Sequence, residues 1–278
     1  MVDDSQSPTF SESDHQDVED KRRLRAAVVY EVVRQEGEEE LEREASALWW
    51  SGVAAGLTIS FSVITQALLK SFLPDTDWTP LVADMGYSVG FLIVILARQQ
   101  LFTENTITVV LPLMAAPSFQ CLALIARLWG IVLLANFAGA AVVAAFLAYG
   151  EPLPAATMAA ITSIGEHLFV NSPGEMFIKG IGAGWLIAAL VWLLPSAEHM
   201  AFWMIGLITY VIALADFTHI VAGSVEAFFL LMTGRIDVLE TLFGFALPTL
   251  AGNVVGGTVL FAMISYAQVR REIEADGD

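Results

Sequence analysis

Six long apolar stretches dominate the chain and limit what it can fold into. A helix needs about 20 apolar residues to cross the hydrocarbon core of a bilayer, and every stretch is long enough. The stretches cover residues 46–73, 81–113, 119–149, 176–195, 201–232 and 238–268. Hydrophobic residues make up 56% of the sequence, more than a soluble domain needs to fill its core. The sequence therefore predicts an all-α membrane protein with six transmembrane helices.

The two ends of the chain are polar and differ from this apolar body. The N-terminal segment is rich in Ser, Asp and Glu, which predicts a disordered acidic tail. After it, Leu24, Val28 and Val32 recur at every fourth position, which predicts an amphipathic helix on the cytoplasmic surface. We predict the order acidic tail, amphipathic helix, six-helix transmembrane domain and acidic C-terminal tail over residues 1–19, 20–45, 46–270 and 271–278.

Charge predicts the orientation of the chain in the membrane. Six spans bring both termini to one side of the bilayer, and basic residues mark the cytoplasmic side. The basic residues before the first span and after the last are Lys21, Arg22, Arg23, Arg25, Arg270 and Arg271, with Arg235 as a weak opposing signal. We expect a plasma (inner) membrane protein with cytoplasmic termini. The net charge of −17 argues against a nucleic-acid partner.

The second and fifth stretches are longer than a single span, and each contains a polar interruption. The first interruption covers 98–106, and the second covers 216–219 followed by the small residues 222–224 and Glu226. Polar backbone at membrane depth belongs where it faces protein or a water-filled cavity. The interruptions therefore predict that the second and fifth helices are broken. The alternative is two long tilted helices whose polar groups are satisfied inside the bundle.

Each interruption is followed, at a similar distance, by a helix with the pattern Asn-x-x-Gly. Thr103 lies 33 residues before Asn136, and His219 lies 34 residues before Asn253. This spacing matches Thr103 with His219 and predicts an inverted repeat of two three-helix halves, with a solute site near the midplane. The alternative is that Asn-x-x-Gly recurs by chance in glycine-rich helices.

Ionisable and aromatic residues near the interruptions are candidates for the solute path. His219 can exchange a proton near neutral pH, but it can equally be a neutral imidazole that binds a helix carbonyl. Lys179 either faces the path or extends its ammonium group to the interface. Phe91, one turn after Tyr87, either constricts the path or packs in the core.

Three further charges lie near the breaks: Arg98, Glu104 and Glu226. An unpaired charge at membrane depth costs about 2.5–3.5 kcal/mol. We therefore predict that Arg98 pairs with Glu104 or Glu226. No cofactor and no metal site are expected.

Five motifs, in order, make the sequence resemble the formate/nitrite transporter family from Ala45 to about Arg270. The motifs are Leu101-Phe102-Thr103 with Asn105, Asn136-Phe137-x-Gly139, Phe177-Ile178-Lys179-Gly180, Phe217-x-His219-x-x-Ala222, and Gly252-Asn253-x-x-Gly256-Gly257. The resemblance implies an aquaporin-like protomer that assembles as a pentamer. It also implies a pore in each protomer for formate, nitrite or similar small anions.

The resemblance also implies roles for individual residues. Thr103 and Asn253 would hydrogen-bond a central His219. Leu101 and Phe102 would narrow the pore, and Lys179 would supply positive potential. The sequence departs from the family pattern at Glu104, where a small residue is usual, and at Gly223, where Asn is common, which indicates a divergent branch of the family.

The leading hypothesis is a passive or proton-coupled pore for small monovalent anions or their weak acids. Burial disfavours an imidazolium at His219 and a nearby anion favours it, so His219 is expected to relay a proton to the substrate. An intramembrane serine protease is the enzyme alternative. Ser224 and His219 lie about 140° apart around a helix, so no enzyme activity is expected. A sealed receptor or scaffold and a pore for neutral solutes remain as alternatives.

Overall fold

The structure is a computed structural model that describes residues 24–276, so the predicted acidic tail at residues 1–19 lies outside it. We label the helices of this range in chain order. They are α1 (Ala26–Glu42), α2 (Ala45–Phe72), α3 (Thr79–Leu96), α4 (Asn105–Ala115), α5 (Phe119–Gly150), α6 (Ala155–Leu168), α7 (Pro173–Leu193), α8 (Ala201–Leu214), α9 (Ile220–Met232) and α10 (Glu240–Asp276).

Five of these helices, α2, α3, α5, α7 and α10, are long and apolar enough to cross a membrane. The shorter apolar helices α4, α8 and α9 complete two interrupted spans, α3 with α4 and α8 with α9. The predicted six-span organisation with broken second and fifth helices is therefore confirmed.

The two breaks are short connections between helices. The first covers residues 97–104 and the second covers residues 215–219. Near the start of each, one residue has a left-handed backbone, Arg98 with φ 52° and Asp216 with φ 54°. The predicted extension of the second interruption to Glu226 is wrong, because α9 begins at Ile220 and satisfies its backbone with helical hydrogen bonds.

Glycines let the outer helices of each half cross closely. A Cβ atom at Gly56 of α2 would lie 2.1 Å from the backbone oxygen of Asn136 on α5. A Cβ atom at Gly184 of α7 would lie 2.2 Å from the backbone oxygen of Asn253 on α10. Only glycine fits at such distances. The crossing of α2 with α5 in the first half thus has a matching crossing of α7 with α10 in the second.

Helix α1 packs against the membrane body beneath α4. Tyr30 and Val33 are buried, and the Tyr30 hydroxyl donates to the backbone oxygen of Leu111 at 3.5 Å. A Cβ atom at Gly37 would lie 2.1 Å from the backbone oxygen of Thr108, so α1 and α4 are in direct backbone contact. The stripe of Leu24, Val28 and Val32 is exposed.

Candidate functional site

His219 lies at the end of the second break and caps the N-terminus of α9. Its side chain is buried, with 2% of the residue exposed. The ring atom Nδ1 accepts a hydrogen bond from the backbone N–H of Ala222 at 3.2 Å. The other ring nitrogen, Nε2, lies 2.7 Å from Oγ1 of Thr103, in the first break. The predicted hydrogen bond between Thr103 and His219 is therefore present, and it joins the two breaks.

These contacts assign the hydrogens of the pair. A backbone N–H can only donate, so Nδ1 of His219 carries no proton. The neutral imidazole then has its proton on Nε2, which donates to Thr103. The hydroxyl proton of Thr103 is left without an acceptor in the described part of the chain. The pair can thus donate one hydrogen bond to an anion.

Apolar side chains surround the pair. The Phe91 ring meets the His219 ring edge-on, with centroids 5.0 Å apart, and the Tyr87 ring lies 5.2 Å from Phe91. Leu101 and Phe102 are buried beside Thr103, and Phe102 packs edge-on against Trp129 at 5.7 Å. Weakly hydrated surroundings of this kind strengthen any hydrogen bond formed inside them.

Two asparagine side chains hold the breaks in place by hydrogen bonds to backbone atoms of the breaks. Oδ1 of Asn253 accepts from the N–H of Ile220 at 2.8 Å, and its Nδ2 donates to the carbonyls of Thr218 and Gly180 at 2.9 Å each. The predicted hydrogen bond from Asn253 to His219 is wrong, because the amide binds only backbone atoms, two of them in the residues on either side of the histidine and one on α7. The role of Asn253 is to fix the loop that carries the imidazole.

Asn136 holds the first break in the same way and reveals the register of the repeat. Its Oδ1 accepts from the N–H of Phe102 at 2.9 Å, and its Nδ2 donates to the carbonyls of Gln100 and Gly52 at 2.8 Å each. Phe102 therefore corresponds to Ile220, which makes Leu101 the counterpart of His219. The match of Thr103 with His219 from residue spacing is wrong by two positions.

A cavity of about 400 Å³ reaches His219 from one end of the bundle, and we call it the vestibule. Its walls come from the ends of α2, α6 and α8, from the start of α3, and from α9. The titratable residues that line it are Lys70, Asp75, Asp84, Tyr87, His167, Asp216, His219 and Glu226. Four of them are carboxyl groups, beside one lysine and two histidines.

Lys179 lies near this end of the bundle and is paired. Its Nζ donates to Oδ1 of Asn171 at 2.6 Å and forms an ion pair with Asp216. The other carboxylate oxygen of Asp216 lies 3.5 Å from Nε2 of His167. Asp216 was predicted to lie in the interruption, but its ion pair with Lys179 was not predicted. An acidic residue inside an apolar stretch was the available signal.

The predicted pairing of Arg98 with Glu104 or Glu226 is wrong. Arg98 is 81% exposed in its side chain and contacts Glu36 of α1 at 3.2 Å, because its left-handed backbone turns it away from the bundle. Glu104 keeps a buried oxygen, Oε1, without a hydrogen-bond partner in the described residues. Glu226 is buried in the vestibule wall. The structure thus does not bring the three charges together.

Comparison with known proteins gives a consistent result. The family model for formate/nitrite transporters matches residues 27–267. The inner membrane protein YfdC of Escherichia coli K12 is 45% identical over 255 residues, which cover 92% of this chain and 82% of YfdC. The formate channel BtFdhC of Bacillus thuringiensis is 24% identical over 250 residues, covering 88% of this chain and 95% of BtFdhC.

Solved structures share the fold. A pentameric formate channel with formate bound matches with a TM-score of 0.70 and 17% sequence identity. The match covers 82% of this chain and 98% of the formate channel. A second structure, an ion channel of the FNT family, also matches with a TM-score of 0.70 and is 22% identical in sequence. The match covers 87% of this chain and 96% of that channel. The predicted all-α, aquaporin-like membrane fold is confirmed. Because the family model spans most of the chain and YfdC is 45% identical, this multi-pass membrane protein belongs to the formate/nitrite transporter family.

Proposed function

We propose that the chain is a channel for small monovalent anions of the formate and nitrite type, or for their weak acids. The observation that carries this proposal is the buried Thr103 hydroxyl, which His219 orients and which has a proton to donate between the two breaks. Relatives named as formate channels support the substrate class. Ser224 donates to the carbonyl of Val221 at 2.6 Å and not to histidine, so no nucleophile is activated for the protease alternative.

The surroundings of the pair suggest how such a pore selects. Leu101, Phe102 and Phe91 form the apolar constriction in this proposal, which a fully hydrated ion does not pass. An anion that sheds part of its water there receives a hydrogen bond from Thr103 as compensation. The substrates are therefore small anions with exposed oxygen or sulfur acceptors.

We further propose that His219 relays a proton to the anion. In the relay, Thr103 gives its hydroxyl proton to the substrate and receives the Nε2 proton of His219. A new proton then enters at Nδ1, which must first release the N–H of Ala222. Proton transfer is thus coupled to opening of the cap of α9.

A flux panel tests the proposed function. We expect purified protein in liposomes to accelerate entry of formate and nitrite well above protein-free liposomes. Acetate and lactate define the size limit, and hydrosulfide tests a sulfur acceptor. Light scattering or an entrapped pH dye measures the rates. Flux of glycerol alone would instead indicate a pore for neutral solutes. No flux of any kind would indicate a sealed receptor or scaffold.

Lys179 is proposed to supply positive potential at the vestibule entrance. We expect Lys179→Ala to reduce formate entry several-fold at every pH, because it removes a fixed cation and leaves the Asp216 carboxylate unpaired. The double variant Lys179→Ala with Asp216→Asn should recover part of the rate. Initial rates of uptake measure both. If the double variant is as slow as the product of the two single effects, the ion pair has no role in entry.

Assembly and orientation are part of the proposal. A homopentamer is supported by the pentameric state of a structural neighbour. Cytoplasmic termini are supported by Arg25 before the first span and Arg271 after the last. In that orientation, α1 lies on the cytoplasmic side and the vestibule opens to the opposite side.

A further inference from the structure

Glu226 has surroundings that the proposed function does not use. It lies on α9 seven residues after His219, so the two side chains share one face of the helix about 10 Å apart. Only 6% of Glu226 is exposed, and that part lines the vestibule. Its carboxyl group forms no hydrogen bond or ion pair with any residue in the range 24–276 that the structure describes.

Other charges of the vestibule do not compensate this carboxyl group. Lys70 donates to Oγ of Ser163 at 3.1 Å, and His167 faces Asp216. Asp84 accepts from Gln66 at 2.8 Å. The remaining titratable residues that line the cavity are Asp75, Tyr87 and His219. Glu226 therefore shares its cavity with further acids and with bases that are bound elsewhere.

Chemistry limits what such a group can be. A buried carboxylate without a partner is costly, and it would repel an anion that enters the vestibule. The protonated acid avoids both effects and offers an O–H group to the cavity, as a carboxylic acid kept neutral does in some enzyme sites. Gly223, on the same helix face between Glu226 and His219, also lines the vestibule. The three residues thus share one continuous wall.

We propose that Glu226 is the proton entry site of the His219 relay and restricts transport to anions that travel with a proton. This inference rests on the proposed function. The Glu226 O–H bond breaks as its proton passes through vestibule water to Nδ1 of His219. The Nε2 proton moves to Thr103, and the Thr103 proton moves to the anion. His219 is then protonated at Nδ1 and not at Nε2, and it returns to its starting tautomer by losing the Nδ1 proton to water and taking one up at Nε2 after the anion has left. The Glu226 carboxylate regains a proton from external water, so one proton crosses with each anion.

Paired measurements of proton and anion uptake test this inference. Proteoliposomes containing a pH dye and labelled formate report both fluxes for wild type, Glu226→Gln and the control Asp75→Asn. Asp75 lines the same vestibule but is exposed. We expect wild type and Asp75→Asn to take up about one proton per formate. In Glu226→Gln we expect the ratio to fall at least tenfold while formate continues to enter.

A second measurement uses the unmodified chain. Dicyclohexylcarbodiimide adds to protonated carboxyl groups in apolar surroundings, and the adduct is located by peptide mass spectrometry. We expect labelling at Glu226, loss of proton-coupled flux in proportion, and slower labelling when formate is present. An unlabelled Glu226 under conditions that label other buried carboxyls would overturn the inference.

The outcomes separate this inference from the function beneath it. If no anion moves with wild type, the transport function and the role of Glu226 both fall. If wild type and Glu226→Gln carry the same number of protons per formate, transport stands and Glu226 is not the entry site. An equal loss of coupling in Asp75→Asn would also overturn it, because general electrostatics would then be the cause.

Discussion

His219→Phe is expected to abolish the pH dependence of weak-acid flux without preventing folding or assembly. Phenylalanine has a similar shape, so it can keep the edge-on contact with Phe91. It has no nitrogen to orient Thr103 or to accept a proton, and the relay is lost. Flux of formate measured between about pH 5 and pH 8, where an ordinary histidine titrates, should change from a steep profile to a flat one.

Variants of the partner residue sharpen this experiment. Thr103→Ser retains the hydroxyl group and should keep the wild-type pH profile. Thr103→Val has the same shape without the hydroxyl and should resemble His219→Phe. If His219→Phe keeps the wild-type profile while its elution in detergent is unchanged, the relay is wrong. His219 then serves only to hold Thr103 and to cap α9.

Asn253→Ala is expected to cause a large loss of stability. It removes the amide that satisfies the N–H of Ile220 and the carbonyls of Thr218 and Gly180. A buried backbone group left unsatisfied costs about 1–3 kcal/mol, so the total is roughly 3 kcal/mol or more. Thermal unfolding in detergent, followed by tryptophan fluorescence, measures the loss.

The other half of the molecule supplies the matched control. Asn136→Ala removes an equivalent set of hydrogen bonds to Phe102, Gln100 and Gly52, so a loss of similar size is expected. Asn253→Asp should be nearly as harmful, because a carboxylate cannot donate to the two carbonyls. Wild-type unfolding temperatures for both alanine variants would contradict the proposed clamps.

The architecture could be predicted from the sequence because each determinant is local. A span shows itself as about 20 apolar residues, and a break shows itself as polar residues inside a span that is too long. His219 stood out for the same reason. The hydrogen bond between Thr103 and His219 followed from family resemblance and not from spacing.

The register of the repeat could not be predicted in that way. Helix α9 begins at Ile220, directly after His219, whereas α4 begins at Asn105, three residues beyond the position equivalent to Ile220. Counting residues from Asn136 and Asn253 therefore aligned loops of different length. Both asparagines bind backbone atoms, and every loop residue has the same backbone carbonyl. The side chains of the loop residues therefore do not show which residues of the two loops are equivalent.

The ion pairs were also beyond reach from the sequence. The prediction assumed that Arg98 lies inside the bundle because it falls in an apolar stretch. Its left-handed backbone sends it to Glu36 on the surface helix instead. A hydropathy pattern does not predict the backbone conformation of a single residue, so it cannot predict the direction in which the Arg98 side chain extends.

The two left-handed bends occupy equivalent positions in the repeat yet carry opposite charges, Arg98 in one and Asp216 in the other. Each finds its counter-ion outside its own loop, Glu36 on α1 for the first and Lys179 on α7 for the second. The two halves therefore share a backbone bend but have separate electrostatic partners. A substitution of Glu36 is therefore expected to release Arg98 and leave the pair of Asp216 with Lys179 intact, and a substitution of Lys179 is expected to do the reverse.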